Sequence, residues 1–313
     1  MKNKKNIVLA LIAVIIYVVI FSLAQFGVLS RHTQSLLVPI GVNIILAVSL
    51  NLTVGFLGEL TLGHAGFMSV GAYAGCLFTI YCNLPVWIEF PLALIIGGLV
   101  AAIFGVIIGI PALRLNGDYL AIVTLAFGEI IRSVLNNVKF TGGAGGLKGI
   151  DKTSNFTIAY ILVILTLIVI TNVVHSRHGR AIMAIRDNII AAQSVGINIV
   201  YYKLVAFVGA AFFAGVAGVL YGHNLGILKP STFDFNKSIE ILVIVVLGGM
   251  GNITGSVIAA IIITLLPEVL RDLADYRMLI YSIALIVMML FSSNPTLVEF
   301  RKKIFKIKKG GNK

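Results

Sequence analysis

The chain has 313 residues, of which 59% are hydrophobic and only 12% charged, where a soluble globular domain carries about 25% charged residues. With a mean hydropathy of +1.04, no stretch is polar enough to coat a water-soluble surface, which excludes most soluble folds and leaves no room for a soluble catalytic domain. The +12 formal charge and isoelectric point near 9.8 would suggest nucleic acid in a soluble protein; in a membrane protein they are judged by where the basic residues fall.

Residues 1–313 are therefore read as a single all-α polytopic integral membrane domain, with spans predicted at 7–29, 35–57, 60–82, 90–110, 119–135, 156–174, 203–223 and 279–293. The first span follows Lys2, Lys4 and Lys5 and runs into Ser22-Leu23-Ala24, which also fits a cleaved signal peptide. Its apolar run exceeds the usual signal-peptide core of about 7–15 residues, so 7–29 is taken as a retained helix. At the start of 60–82, Gly55, Gly58, Gly63 and Gly66 loosen the helix around Glu59, Thr61 and His64. A broken helix at membrane depth is tolerated only against protein or a water-filled cavity. Cys76 and Cys82 show no CxxC spacing and read as small buried hydrophobes. Glu129 and Arg132 can pair on one face of 119–135. An ionisable group at the helix centre costs roughly 2.5–3.5 kcal/mol, so it must face protein or water; structural pairing is favoured over a direct transport role.

A further apolar stretch at 238–266 is long for one helix and too short for two full ones, and Gly248-Gly249-Met250-Gly251-Asn252 breaks it in the middle. Two shorter helices meeting at a tip are expected, giving about eight full transmembrane helices plus the broken pair, about ten helices in all. With the amino terminus inside, the inner segments hold 14 Lys and Arg against 4 Asp and Glu, and the outer segments 8 against 6. The positive-inside rule supports that orientation, with both termini and the basic tail 294–313 cytoplasmic, although Lys139, Lys148 and Lys152 run against it. A single span at 238–266 would put the tail outside.

Signs of catalysis are missing. His175 and His178 form an HxxH without HExxH or a nearby carboxylate or thiol. The Gly142–Gly149 stretch fails as a phosphate loop, because Leu147 precedes the lysine and Gly149 stands where Ser or Thr belongs. Asn51-Leu52-Thr53 and Asn252-Ile253-Thr254 match glycosylation sequons by chance, both lying within membrane segments. Gly71/Gly75, Gly105/Gly109, Gly251/Gly255 and Gly215 to Gly218 read as close helix packing. A weak echo links 55–61 with 248–254, the kind of repeat common in transporters. In the inner connection 175–202, residues 180–195 are predicted to form one helix stopped by Gly196, with Ile182, Ile185 and Ile189 on one face. Such a helix is either interfacial or a docking element for a partner.

Several ordered blocks resemble the LivM-type permease subunit of branched-chain amino-acid ABC importers over about residues 45–265. They are Leu60 to Phe67 with Gly71-Ala72-Tyr73, Leu113-Arg114-Leu115 through Tyr119 to Ile130, Thr141-Gly142-Gly143 with Gly146-Leu147, Gly179 to Asn198, and Ser238-Ile239-Glu240 with Leu247 to Gly251. The resemblance implies a pore subunit of the bacterial inner membrane that is not an enzyme and binds no cofactor. It implies as partners a LivH-type permease, two cytoplasmic ATPases that use the ATP, and a binding protein delivering leucine, isoleucine or valine. It also implies an ATPase-coupling loop at 175–202 carried by Gly179, Arg180, Ala184, Arg186, Asp187, Ala191, Ala192 and Gly196. Ala191-Ala192 with Gly196 is similar to the core of the importer "EAA" loop, but Ile190 takes the acidic position, leaving Arg180, Arg186 and Asp187 as the polar candidates. Candidate translocation-path or broken-helix residues are Glu59, Thr61, Gly63, His64, Thr124, Glu129, Glu240, Gly248, Gly249 and Gly251. A related importer permease for a sugar or nucleoside is the alternative, and a polytopic membrane enzyme lacks the cluster of acid, base or metal ligands it would need.

Overall fold

The computed structural model describes residues 15, 17–23, 31–82, 84–115, 117–270, 282, 283 and 286. Most of the predicted spans 7–29 and 279–293, and all of the tail 294–313, lie outside the described residues. Helix α1 runs Arg31–Asn51 and continues as a π-helical segment, Leu52–Leu57. Then follow α2 (His64–Tyr81), α3 (Val86–Ala112), α4 (Asp118–Asn137) and α5 (Phe156–His175). Two short helices, α6 (Arg177–Asp187) and α7 (Ile189–Ser194), precede α8 (Ile199–Leu225) and a hairpin of α9 (Phe235–Gly248) and α10 (Ile253–Val269). Residues 17–23 are also helical, and besides short 3-10 turns the described residues include an antiparallel pair of two-residue strands, β1 (Leu147–Lys148) and β2 (Ile227–Leu228). It joins the loops after α4 and α8 at one end of the bundle, and α6 and α7 lie at the other.

Four helical stretches among the described residues, Thr33–Leu57, Val86–Ala112, Phe156–His175 and Ile199–Leu225, are long and apolar enough to cross a membrane. Their sequence explains which way they face. On α3, Ile95, Leu99, Ile103, Ile107 and Ile110 form an exposed ridge at helical spacing, while Gly97, Gly105 and Gly109 line the opposite side against α8. A methyl on Gly215 of α8 would lie 2.6 Å from the Gly97 carbonyl, and one on Gly71 of α2 would collide with the Gly215 backbone. Helices α2, α3 and α8 therefore meet backbone to backbone. In lipid, where the hydrophobic effect does not drive helices together, such close dispersion contact is what holds them.

Three elements differ from the sequence expectation or refine it. The break before α2 is wider than a loosened start: residues 58–63 are non-helical, and the span predicted from 60 begins as a helix only at His64. Gly58, at φ +81°, closes the π-helical segment in a left-handed conformation that favours glycine. The hairpin turn falls between Gly248 and Ile253, with Gly249 at φ +88° and Gly251 at φ +79°, and the Asn252 side chain accepts from Gly255 N at 3.2 Å to cap α10. The single helix expected over 180–195 is instead two. Asn188 adopts extended backbone and its Oδ1 caps α7 by accepting from Ala191 N at 3.0 Å. That local side-chain bond offers the backbone an alternative to continuing the helix. As a result Ile182 and Ile185 are buried, whereas Ile189, expected on their face, is 39% exposed.

Candidate functional site

The two glycine-rich breaks come into direct contact at the α6 end of the bundle. Asn51, in the last turn of α1, accepts from Gly251 N at 2.8 Å and donates to Ser256 Oγ at 3.0 Å. It thereby ties the end of α1 to the hairpin tip. Arg186 of α6 reaches the same place: Nη1 donates to the Gly55 carbonyl at 3.1 Å, while Nε and Nη2 donate to Asp187 Oδ1 at 3.1 and 2.9 Å. Just beyond Gly58, Glu59 is buried against Lys203 of α8 in an ion pair. Gly248 packs so tightly on α10 that a methyl there would lie 2.5 Å from Ser256 N.

Deeper in the bundle the start of α2 is held by polar side chains from its neighbours. Leu62 N donates to Thr124 Oγ1 of α4 at 3.0 Å, and Ala65 N donates to Ser238 Oγ of α9 at 3.2 Å. A methyl on Gly63 would lie 2.7 Å from the Thr124 carbonyl. His64 is buried with Nε2 2.9 Å from Ser49 Oγ, and Ser49 Oγ lies 3.0 Å from Leu46 O. Thr61 is buried beside them.

Glu129 and Glu240 lie away from that junction. Glu129 does pair with Arg132, with Oε2 2.6 Å from Nη2, and its other oxygen accepts from Phe235 N at 3.1 Å. The carboxylate thus sits at the amino end of α9, where unpaired N–H groups favour an anion. Glu240 pairs with Lys237 at 3.1 Å, and Lys237 also donates to Asn43 Oδ1 of α1 at 3.2 Å.

The residues of 175–202 serve two purposes. Gly179 is buried, and any methyl there would strike the Val174 carbonyl at the corner between α5 and α6. Arg180 donates to His175 O at 3.3 Å, and the Ala184 carbonyl accepts from Asn188 N at 3.0 Å. Ala191 is exposed, Ala192 is buried, and Gly196 ends the segment at φ +82°. Ile190 of α7 and Val195 just after it are each 76% exposed, so this segment presents large apolar side chains away from the bundle.

A family model described as branched-chain amino acid transport system / permease component matches residues 32–292. The chain belongs to that family. It is 36% identical to the high-affinity branched-chain amino acid transport system permease protein LivM of Escherichia coli (strain K12), over 96% of this chain and 77% of that protein. Against LivM of Salmonella typhimurium the identity is 37%, over 90% of this chain and 73% of the relative. The ribose import permease protein RbsC of Haemophilus influenzae is more distant, at 27% identity over 90% of this chain and 91% of that one. No solved structure matches. Relatives and apolar helices together make this a multi-pass membrane permease.

In this permease, several residues that hold the junction carry no motif. In the sequence Asn51 reads as part of a chance sequon, and Lys203 as the first residue of an apolar span. Each carries the same legible signal: a strongly polar group in an apolar run has to find a partner, because leaving it unpaired is costly. Asn43, Ser49 and Ser238 belong to the same class. His175 ends α5 and His178 lies in α6 against Tyr202; among the described residues no group of His, Cys, Asp and Glu could hold a metal ion. Cys76 and Cys82 are free thiols, Cys76 buried 3.6 Å from His223 Nδ1.

Proposed function

We propose that this permease is the LivM-type half of an ATP-driven importer for leucine, isoleucine and valine in a bacterial inner membrane. In this reading a LivH-type permease completes the pore, two cytoplasmic ATPases hydrolyse ATP, and an extracytoplasmic binding protein delivers the amino acid. The chain itself binds no nucleotide. The same reading takes about eight spans plus the α9–α10 hairpin, with both termini, α6 and α7 on the cytoplasmic side. The observation that carries the reading is the family match across 32–292, joined to the exposure of Ile190 on α7 and of Val195 just after it, at the end of the bundle where the motor subunits would sit. An amphipathic helix with apolar anchors suits a groove in a partner.

Transport then proceeds by alternating access driven from outside the chain. ATP binding closes the motor dimer, α6 and α7 move with it, and the paired permeases shift toward the state open to the delivered ligand. A sugar substrate is the second reading, favoured by the likeness to RbsC. The two are separated by uptake of labelled leucine into vesicles containing the chain with its cognate partners. Competition by isoleucine and valine, with none by ribose or nucleosides, is the expected result. Uptake of labelled ribose without leucine uptake would contradict it.

A further inference from the structure

The segment α6 to α7 is the natural contact for a motor subunit, and its charged residues would be expected to face that partner. Arg186 does not. Its stem passes Gly58, where a methyl would lie 2.7 Å from Arg186 Cγ, and its Nη1 lies 3.5 Å from where a methyl on Gly251 would project. The guanidinium therefore threads between two glycines held at positive φ, one in the α1–α2 break and one in the hairpin tip. There it bonds the Gly55 carbonyl, which lies in the final turn of the α1 unit, where carbonyls run out of intrahelical donors. A cation at that terminus is also favoured by the helix dipole. Asp187, 68% exposed, fixes the other edge of the fork through two bonds to one oxygen.

We propose that Arg186 is the transmission residue of this permease, fastening α6 to the Gly55 carbonyl beside the hairpin tip so that a stroke delivered to α6 and α7 moves both broken elements together. The proposal rests on the reading that α6 and α7 receive the motor's stroke. Three features support a joint here. The contact joins residues 131 apart in sequence. The hairpin tip is bound to the same turn through Asn51. The Glu59–Lys203 ion pair fixes the chain immediately after the joint to α8. Arginine suits the task because its planar fork can hold Asp187 and a carbonyl at once, whereas a lysine ammonium is a single point on a flexible stem.

The test uses the full importer, with both permeases, ATPases and binding protein, reconstituted in liposomes, and reads leucine taken up per ATP hydrolysed together with the ATPase retained on purification. Arg186→Lys and Arg186→Ala are expected to keep the ATPase subunits in wild-type proportion while uptake per ATP falls about tenfold, within the range for loss of one coupling contact. Asp187→Asn, a surface change that leaves the packing intact, is expected to give a smaller loss of the same ratio. A wild-type ratio in Arg186→Lys overturns the proposal, and so does loss of bound ATPase in step with uptake, which would make Arg186 a docking contact. A wild-type chain that retains no ATPase and takes up no leucine removes the underlying reading as well.

Discussion

Helices α2, α3 and α8 and the junction at the end of α1 are both built on glycine, yet they use it in opposite ways. In the three-helix seam, Gly71, Gly97 and Gly215 sit inside regular helices and let backbones touch over dry apolar contact. At the junction, Gly58, Gly249 and Gly251 take positive φ, interrupt the helices, and leave room for Asn51, Arg186 and the Glu59–Lys203 pair. A dry seam with one close-packed arrangement behaves as a rigid body. Short breaks let the backbone change direction while the polar bonds carry the broken elements together, which is what a hinge requires. The contrast assigns rigidity to the seam and motion to the junction.

Three substitutions separate the rigid seam from the moving junction. Lys203→Met leaves the buried Glu59 carboxylate without its partner, and removing one member of a buried pair costs about 3–5 kcal/mol. It is expected to lower the melting temperature in detergent sharply, with the double variant Glu59→Gln/Lys203→Met recovering most of the loss. Gly71→Val drives a branched side chain into the Gly215 backbone; overpacking of this kind costs about 1–3 kcal/mol. Melting should reveal it in the purified chain, whereas Leu99→Ala on the exposed ridge of α3 should change little. Thr124→Val removes the acceptor of Leu62 N, a loss of about 1 kcal/mol. It should reduce leucine uptake by more than its small effect on melting would suggest, because it loosens the break from α4. If Gly71→Val instead impaired transport in a fully stable protein, rigidity would have been assigned to the wrong region.

Much of this architecture is legible in the sequence because it is written locally. The hairpin follows from a cluster of helix-breaking residues at Gly248 to Asn252, the close seam from small residues one turn apart, and the Glu129–Arg132 pair from their spacing of three. The interruption at Asn188 was legible in principle, since an asparagine after Arg186-Asp187 is a good cap, but the apolar period of Ile182, Ile185 and Ile189 spoke for one continuous helix. The direction of Arg186 was not legible. Its acceptor is a backbone carbonyl, which has no side-chain identity to read, and it lies on an element 131 residues away. Helical periodicity reports which face a residue takes, and nothing in it says which distant break will open toward that face.

The most direct test of a moving junction on a rigid seam is a distance measurement between paired spin labels in the complete importer, nucleotide-free and trapped with ATP. His178, Met250 and Tyr81 are exposed positions on α6, the hairpin tip and the far end of α2. With α6 fastened to the tip, the distance between labels at His178→Cys and Met250→Cys stays constant, and that between Met250→Cys and Tyr81→Cys changes on trapping. A changing first distance with a constant second would contradict it.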